Sequence, residues 1–259
     1  MKKFILISDD VVFKPRVLFR ILQKCEGSVC GVAEVGYKKS RKKLKTKRIS
    51  DLQFFGLKAY LALGFYAYLL RFLSHLPLPT FIQSKLSNRN VCLFFDVPYE
   101  YVTDINDLDL IRSLKSKAPD IVIALQRQIF SEKLIGVAKI ACLNCHPSEL
   151  PKYRGGRPVF EAMMSGEKKI GVTVHTMTKD IDKGAIICQK TFSTSKKYSL
   201  MDNYSLAHEL YSEVMLHAVD LIEEKQIQDF PLVPEDAAYY KYPSREDVKR
   251  FRAKGFRMV

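Results

Sequence analysis

Between Ile140 and Gln189 the chain gathers side chains whose types and spacing suit chemistry at a carbonyl group. Asn144 and His146 stand two apart at the end of a short apolar run, Ile140 to Cys145. Alternate side chains of a strand share a face, so the amide and the imidazole point the same way, roughly 7 Å apart at ~3.3 Å per residue. Pro147 follows at once, with no N–H for a ladder and a bias of His146 towards extended backbone. The pair is therefore predicted at the mouth of a strand, where open α/β sheets take their ligands. Gly171 to Met177 and Ala185 to Gln189 read as two further strands, separated by Lys179-Asp180-Ile181-Asp182-Lys183-Gly184. That spacing puts Asp182 in a turn, free to reach back to the end of the first strand. An amide and an imidazole on one face offer donors to an oxygen that gains negative charge. A carboxylate beside the imidazole can orient it, raise its pKa or take a proton through water. Singly, each residue has a plainer reading: Asn or His at a strand end is commonly a satisfied polar group, and Asp182 is a good turn former.

Taken together and in order, Asn144, His146, the run Pro147-Ser148-Glu149-Leu150-Pro151-Lys152-Tyr153-Arg154-Gly155, the segment Gly171-Val172-Thr173-Val174-His175 and Asp182-Lys183-Gly184 resemble the folate-dependent formyltransferases. That family includes glycinamide ribonucleotide, methionyl-tRNA and amino-sugar formyltransferases. The resemblance implies an α/β, Rossmann-like fold with a mostly parallel sheet flanked by helices. It also implies a catalytic triad of Asn144, His146 and Asp182, and 10-formyltetrahydrofolate as co-substrate. The loop Gln126, Arg127, Gln128 and Ile129 corresponds to the one that helps enclose the pteridine ring, largely through backbone groups. Without the resemblance it reads as a plain strand-to-helix loop. Tyr153, Arg154 and Tyr240 are the candidates for holding the acceptor. Glu149 departs from the apolar residue usual in the family, and His175, in mid-strand, is read as structural. Formyl transfer to an amine needs a neutral nucleophile, oxyanion stabilisation and a proton path between the two nitrogens. Asn144 and His146 would polarise the formyl oxygen, and Asp182 would position His146 and assist proton removal, with no covalent intermediate.

These residues need a scaffold, and 259 residues suffice for one α/β domain with extensions. Lys3 to Ser8 reads as a buried strand, Pro15 to Cys25 as an amphipathic helix and Ser28 to Val35 as a second strand, the opening of a doubly wound fold. No G-x-G-x-x-G follows the first strand, which argues against a nicotinamide cofactor. Phe81 to Leu86 is predicted as a short helix, Val91 to Phe95 as a strand, Asp107 to Lys117 as a helix and Pro119 to Leu125 as a buried strand. Val159 to Ser165 and Leu206 to Ile222 follow as helices. The expected organisation is a catalytic domain over 1–225, interrupted at about 38–87 by a basic and apolar helical insertion, then a basic, Tyr-rich extension over 226–259.

Forty-two Lys and Arg against twenty-eight Asp and Glu give a net charge of +14, which favours an anionic partner. Lys38 to Arg48 is a basic run leading into the aromatic and aliphatic stretch Leu52 to Leu73, whose twelve uncharged residues from Ala59 to Leu70 fall short of the ~20 a spanning helix needs. The plain reading is a helix buried against the domain or in a homodimer, and the sharper one is peripheral membrane contact through 38–73. Met1-Lys2-Lys3 leads into too short an apolar run for a cleaved signal, so a cytoplasmic protein is expected, with association at the inner membrane surface as the second possibility. Of six cysteines only Cys142 and Cys145 lie close in sequence. Three apart on a strand, they face opposite sides and should not converge on one metal, so the cysteines are read as small buried hydrophobes in a reducing compartment.

For the acceptor, a small phosphate-bearing amine is expected, first of all an amino sugar carried on a nucleotide. Tyr239 to Tyr242 and nearby arginines could stack on rings and pair with phosphates. Methionyl-tRNA is the runner-up. Nucleic acid is disfavoured because the tRNA enzymes of the family carry a C-terminal β-barrel and few residues follow Leu206 to Ile222 here. A formyltetrahydrofolate hydrolase could use the same triad with water as acceptor, and a non-enzymatic module could keep the fold for binding alone.

Overall fold

The computed structural model describes residues 1–25, 27–36, 51–224 and 226–259. The apolar run KFILIS forms β1 (Lys3–Ser8), buried at every position as a strand covered on both faces should be. A proline in the first turn opens α1 (Lys14–Lys24), which buries Val17, Leu18, Ile21 and Leu22, and β2 (Val29–Val35) returns parallel to β1. The basic run Lys38 to Arg48 lies outside the described residues. Residues 51–55 are helical, followed by α2 (Leu57–Leu73) and the single turn α3 (Thr80–Gln83).

Val91 to Phe95, expected as a strand, is instead the end of α4 (Asn88–Phe94), with Phe95 as its C-cap. Ser87 caps it by accepting a hydrogen bond from the Asn90 N–H, and burial falls on the adjacent pair Val91 and Cys92 while Leu93 and Phe94 face outward. Paired burial of that kind suits a helix, not an alternating strand. The strand of this region is β3 (Tyr99–Val102), at the sheet's edge. The chain continues through α5 (Leu108–Lys117), β4 (Ile121–Leu125), α6 (Glu132–Ile135), β5 (Ala141–His146), β6 (Arg154–Gly155) and α7 (Pro158–Met164). It ends with β7 (Lys169–Thr176), β8 (Ile186–Ser193), α8 (Leu200–Glu224), β9 (Tyr239–Tyr240) and α9 (Arg245–Ala253).

Among the described residues, seven strands form one sheet in the order β3-β2-β1-β4-β5-β7-β8. The first five run parallel, and β7 and β8 are antiparallel additions. The chain winds outward from β1 to β2 and β3 on one side and to β4 and β5 on the other, so the strand order switches between β1 and β4. Crevices at such a switch, outside the carboxyl ends of the strands, are where these sheets bind ligands. Each face has its own core. One packs α1, α4 and α8 through residues such as Leu18, Val91 and Met215, and the other packs α5 and α6 through Leu114 and Leu134. Cys145 belongs to the first and Cys142 to the second, so the two thiols lie on opposite faces as their spacing predicts. A third cluster, around Phe160 of α7, gathers Phe54 from before α2 and Phe251 from α9, so residues beyond 226 pack into the body of the molecule. Of the stretch Leu52 to Leu73, read as a helix buried against the domain or a partner subunit, Phe54 and Ala59 pack into this cluster, while α2 buries no other residue.

Candidate active site

Strand β5 carries Asn144 and His146 to the carboxyl edge of the sheet, and β7 runs antiparallel beside it with His175 opposite Asn144 and Thr173 opposite His146. Thr173 is wholly buried and pins the Pro147 to Pro151 loop. Its Oγ1 donates to the Ser148 carbonyl at 2.6 Å and accepts from the Leu150 N–H at 3.1 Å and from Gln189 Nε2 at 2.8 Å. The loop is thus fixed directly beneath the site. Glu149, where the family has an apolar residue, keeps a half-exposed side chain beside Lys152, 3.9 Å away.

Asp182 returns to β5 because the turn between β7 and β8 is tight. A Cβ on Gly184 would lie 1.8 Å from the Thr176 carbonyl oxygen, so only glycine fits there, and Asp182 itself holds φ +52°. Its carboxylate is nearly buried and stands between two imidazoles. Oδ2 is 3.7 Å from His146 Nδ1, Oδ1 is 3.7 Å from His175 Nε2, and Oδ2 also accepts from the Gly155 N–H at 3.1 Å. At 3.7 Å the carboxylate acts on the rings through its charge and the hydrogen bond to Gly155 holds it in place.

The two histidines differ. His175 is buried, and desolvation lowers its pKa to about 4, the nearby Asp182 charge only partly opposing this, so it is neutral at ordinary pH. Its Nδ1 contacts the Thr176 carbonyl at 2.8 Å, and a carbonyl only accepts, so the proton sits on Nδ1. Nε2 then accepts from the Asn144 amide at 3.3 Å, which fixes the direction in which that amide points. His146 contacts the Tyr153 carbonyl through Nε2 at 3.3 Å, so this nitrogen carries a proton and Nδ1 faces Asp182. His175, which the sequence pattern marks as structural, is therefore part of the cluster. Its alternation along β7 was visible, but its pairing with Asn144 is a matter of register between strands distant in sequence.

The expected acceptor residues lie on the next layer out. β6 and β9 pair in parallel, Arg154 with Tyr239 and Gly155 with Tyr240. Tyr153 meets the site through its carbonyl, while its hydroxyl donates to Glu167 at 2.9 Å and its ring lies 5.6 Å from that of Tyr240. Arg154 is 9% exposed, its guanidinium lies 5.5 Å from the Tyr239 ring, and its Nε and Nη1 have no hydrogen-bond partner. Buried guanidinium nitrogens are costly to leave unmatched, and an anion is their natural complement. Arg157 also leaves Nε without a partner, but its guanidinium is enclosed by the rings of Phe54 and Tyr242, 4.5 and 4.6 Å away, and donates to the Tyr242 hydroxyl.

The loop Gln126 to Ile129 leaves β4, whose Ala124 is paired with Asn144, so it stands at the same edge one strand away. Its side chains serve the loop more than the cleft. Gln126 bonds the Gln128 backbone, and Gln128 bridges the Ile105 N–H and the Gly36 carbonyl at 3.1 Å each. Arg127 lies 3.9 Å from Asp10, and Ile129 projects into solvent. A cavity of about 680 Å³ elsewhere, lined by Lys3, Arg20 and Glu213 among others, opens at the amino end of β1, the opposite edge from the site.

Comparison with known proteins agrees with this geometry. The formyl transferase family model matches residues 83–219, just over half of the chain. The chain is 31% identical over 157 residues to a methionyl-tRNA formyltransferase of Thermotoga maritima, covering 59% of this chain and 49% of that protein. It thus spans about half the length of such curated relatives. Its fold is similar to a sugar N-formyltransferase from Shewanella sp. FDAARGOS_354 (TM-score 0.57, 17% identity, 98% of this chain and 88% of that one). It is also similar to a phosphoribosylglycinamide formyltransferase from Anaplasma phagocytophilum (TM-score 0.58, 18% identity, 94% and 99%). With Asn144, His146 and Asp182 converging at the carboxyl edge of a doubly wound sheet, the chain belongs to the formyl transferase family.

Proposed function

We propose that this chain is an N-formyltransferase that moves the formyl group of 10-formyltetrahydrofolate to the primary amine of a nucleotide-linked amino sugar. The observation that carries the reaction is the placement of Asp182 between His146 and His175, with the Asn144 amide aligned by His175. The donor's fit rests on the loop Gln126 to Ile129 standing one strand from Asn144. Its backbone, held by Gln126 and Gln128, would line a flat ring.

In this reading Asn144 donates its second amide hydrogen to the formyl oxygen, and His146, held between Asp182 and the Tyr153 carbonyl, stabilises the oxyanion as it develops. As the acceptor nitrogen bonds to the formyl carbon it loses a proton, and the donor nitrogen gains one as its bond to that carbon breaks. His146 and Asp182 are the groups within reach of both transfers. His175 stays neutral throughout, which keeps Nε2 an acceptor and the amide of Asn144 in its orientation.

For the acceptor, Arg154 offers two unmatched guanidinium nitrogens beside the site, and Tyr239 and Tyr240 offer aromatic faces. Phosphate with a base or sugar ring answers both needs. Methionyl-tRNA is the second reading, favoured by the similarity to the Thermotoga enzyme. Incubation with 10-formyltetrahydrofolate and a panel of amino-sugar nucleotides, glycinamide ribonucleotide, charged initiator tRNA and no acceptor tests the proposal. Formylation of a sugar nucleotide is expected. Formylated tRNA with no sugar turned over would move the assignment to the second reading, and formate release without any acceptor would make the chain a hydrolase.

A further inference from the structure

Among the described residues, nothing covers the outer apolar face of α2. At about 100° per residue, Leu57, Leu61, Phe65, Tyr68 and Phe72 fall within roughly 80° of arc along a helix ~25 Å long. These five are 52 to 68% exposed. The opposite side, with Ala59 buried and Leu63, Ala67 and Leu70 half-buried, is the side turned to the body of the molecule. Leu70 shares a small cavity with Phe81 and Ile82, themselves largely exposed, so the apolar surface continues past the helix. A soluble surface seldom leaves such a patch open unless something docks there.

Charge identifies the occupant. Residues 36–95 contain twelve Lys and Arg and a single acid, Asp51, so this stretch carries +11 of the chain's +14. The remaining two hundred or so residues are close to neutral. Lys58 and Arg71 flank the apolar stripe on either side, and Lys85 lies 3.6 Å from the Phe81 ring centroid, its stem along apolar surface. A second copy of the chain would bring two such basic segments together, and like charge opposes that. An anionic bilayer answers both features: its headgroups neutralise the cations and its acyl boundary takes the aromatic and aliphatic side chains. No helix among the described residues is long and apolar enough to cross a membrane, so the contact is one of lying on the surface.

We infer that the outer face of α2, with Phe81 and Ile82, docks on an anionic lipid surface. Arg71 Nη2 lies 3.5 Å from the Asp9 carbonyl just past the carboxyl end of β1, so the docked face is at the edge of the sheet that carries Asn144 and His146. Flotation with vesicles of phosphatidylglycerol and phosphatidylethanolamine, compared with pure phosphatidylcholine, is the test. The intact chain should float with the anionic vesicles at low salt, at least ten-fold less with the neutral ones, and progressively less as salt rises. A triple variant Leu61→Ser, Phe65→Ser, Phe72→Ser should lose ten-fold or more of the binding while keeping its circular dichroism. Lys58→Gln with Arg71→Gln should weaken it and flatten its salt dependence. Absence of flotation with the anionic vesicles at low salt would overturn the inference. So would a dimer in analytical ultracentrifugation that the triple variant dissolves without any change in vesicle binding.

Discussion

At the scale of residues, two histidines that are both buried face one carboxylate and differ in their partners: His175 Nε2 accepts from the Asn144 amide, and His146 Nε2 donates to the Tyr153 carbonyl. His146→Ala or Asp182→Asn is expected to lower kcat by on the order of 10²-fold or more, since each removes charge or orientation needed only as the oxyanion forms. Steady-state kinetics with saturating donor checks this, alongside a melting curve close to the parent's. Near-parental kcat in either variant would remove these residues from the machinery. His175 makes a separate prediction through linkage. Its folded pKa is depressed to about 4 against an ordinary 6.5, so between those values the unfolded chain binds a proton that the folded chain refuses. Its contribution to stability is complete above about pH 6.5 and is lost as pH falls towards 4. His208, buried and likewise lowered, acts in the same direction. The melting temperature should therefore fall across that window, and His175→Gln should make the acid limb shallower without abolishing it. An unchanged slope in the variant would show that His175 is not neutral in the folded state.

At the scale of elements, the two-residue pairing of β6 and β9 depends on one glycine. Gly155 has φ +118°, and a Cβ there would meet the Tyr240 carbonyl oxygen at 2.2 Å. Gly155→Ala is predicted to cost about 2 kcal/mol or more, read as a lower denaturation midpoint, and to lower kcat because the Gly155 N–H no longer steadies Asp182. Elements of this kind decide what could be read in advance. β1, β4 and β5 were legible because strands buried on both faces read as unbroken apolar runs, and α5 and α8 because their stripes recur at helical spacing. α4 was misread because VCLFF is apolar throughout, and only the Ser87 cap and the tertiary burial choose helix over strand. β3 escaped notice because an edge strand of four residues, half-buried and carrying Glu100, has no strong pattern. Asn144, His146 and Asp182 could be read from order and local motif. The partnership of Asn144 with His175, and of Thr173 with the Pro147 to Pro151 loop, arises from antiparallel register that no local window contains.

At the scale of the whole molecule, three distant parts of the chain meet around Phe160. Its ring stacks on Phe251 of α9 with centroids 4.6 Å apart and tilts against Phe54 at 5.6 Å. Phe251 is wholly buried, and through α9 it anchors the segment that contains β9. Phe251→Ala is predicted to cost about 3–5 kcal/mol, the usual range for emptying a buried aromatic site. The kinetic consequence separates anchoring from general damage. Asn144 and His146 stand on the central sheet, whereas Tyr239 and Tyr240 are held beside Arg154 by this C-terminal segment. At a temperature well below its melting point, the variant should therefore raise KM for the acceptor several-fold while leaving KM for 10-formyltetrahydrofolate near the parental value. Equal rises in both would mean that the loss of Phe251 loosens the whole sheet edge, and that β9 has no separate part in holding the acceptor.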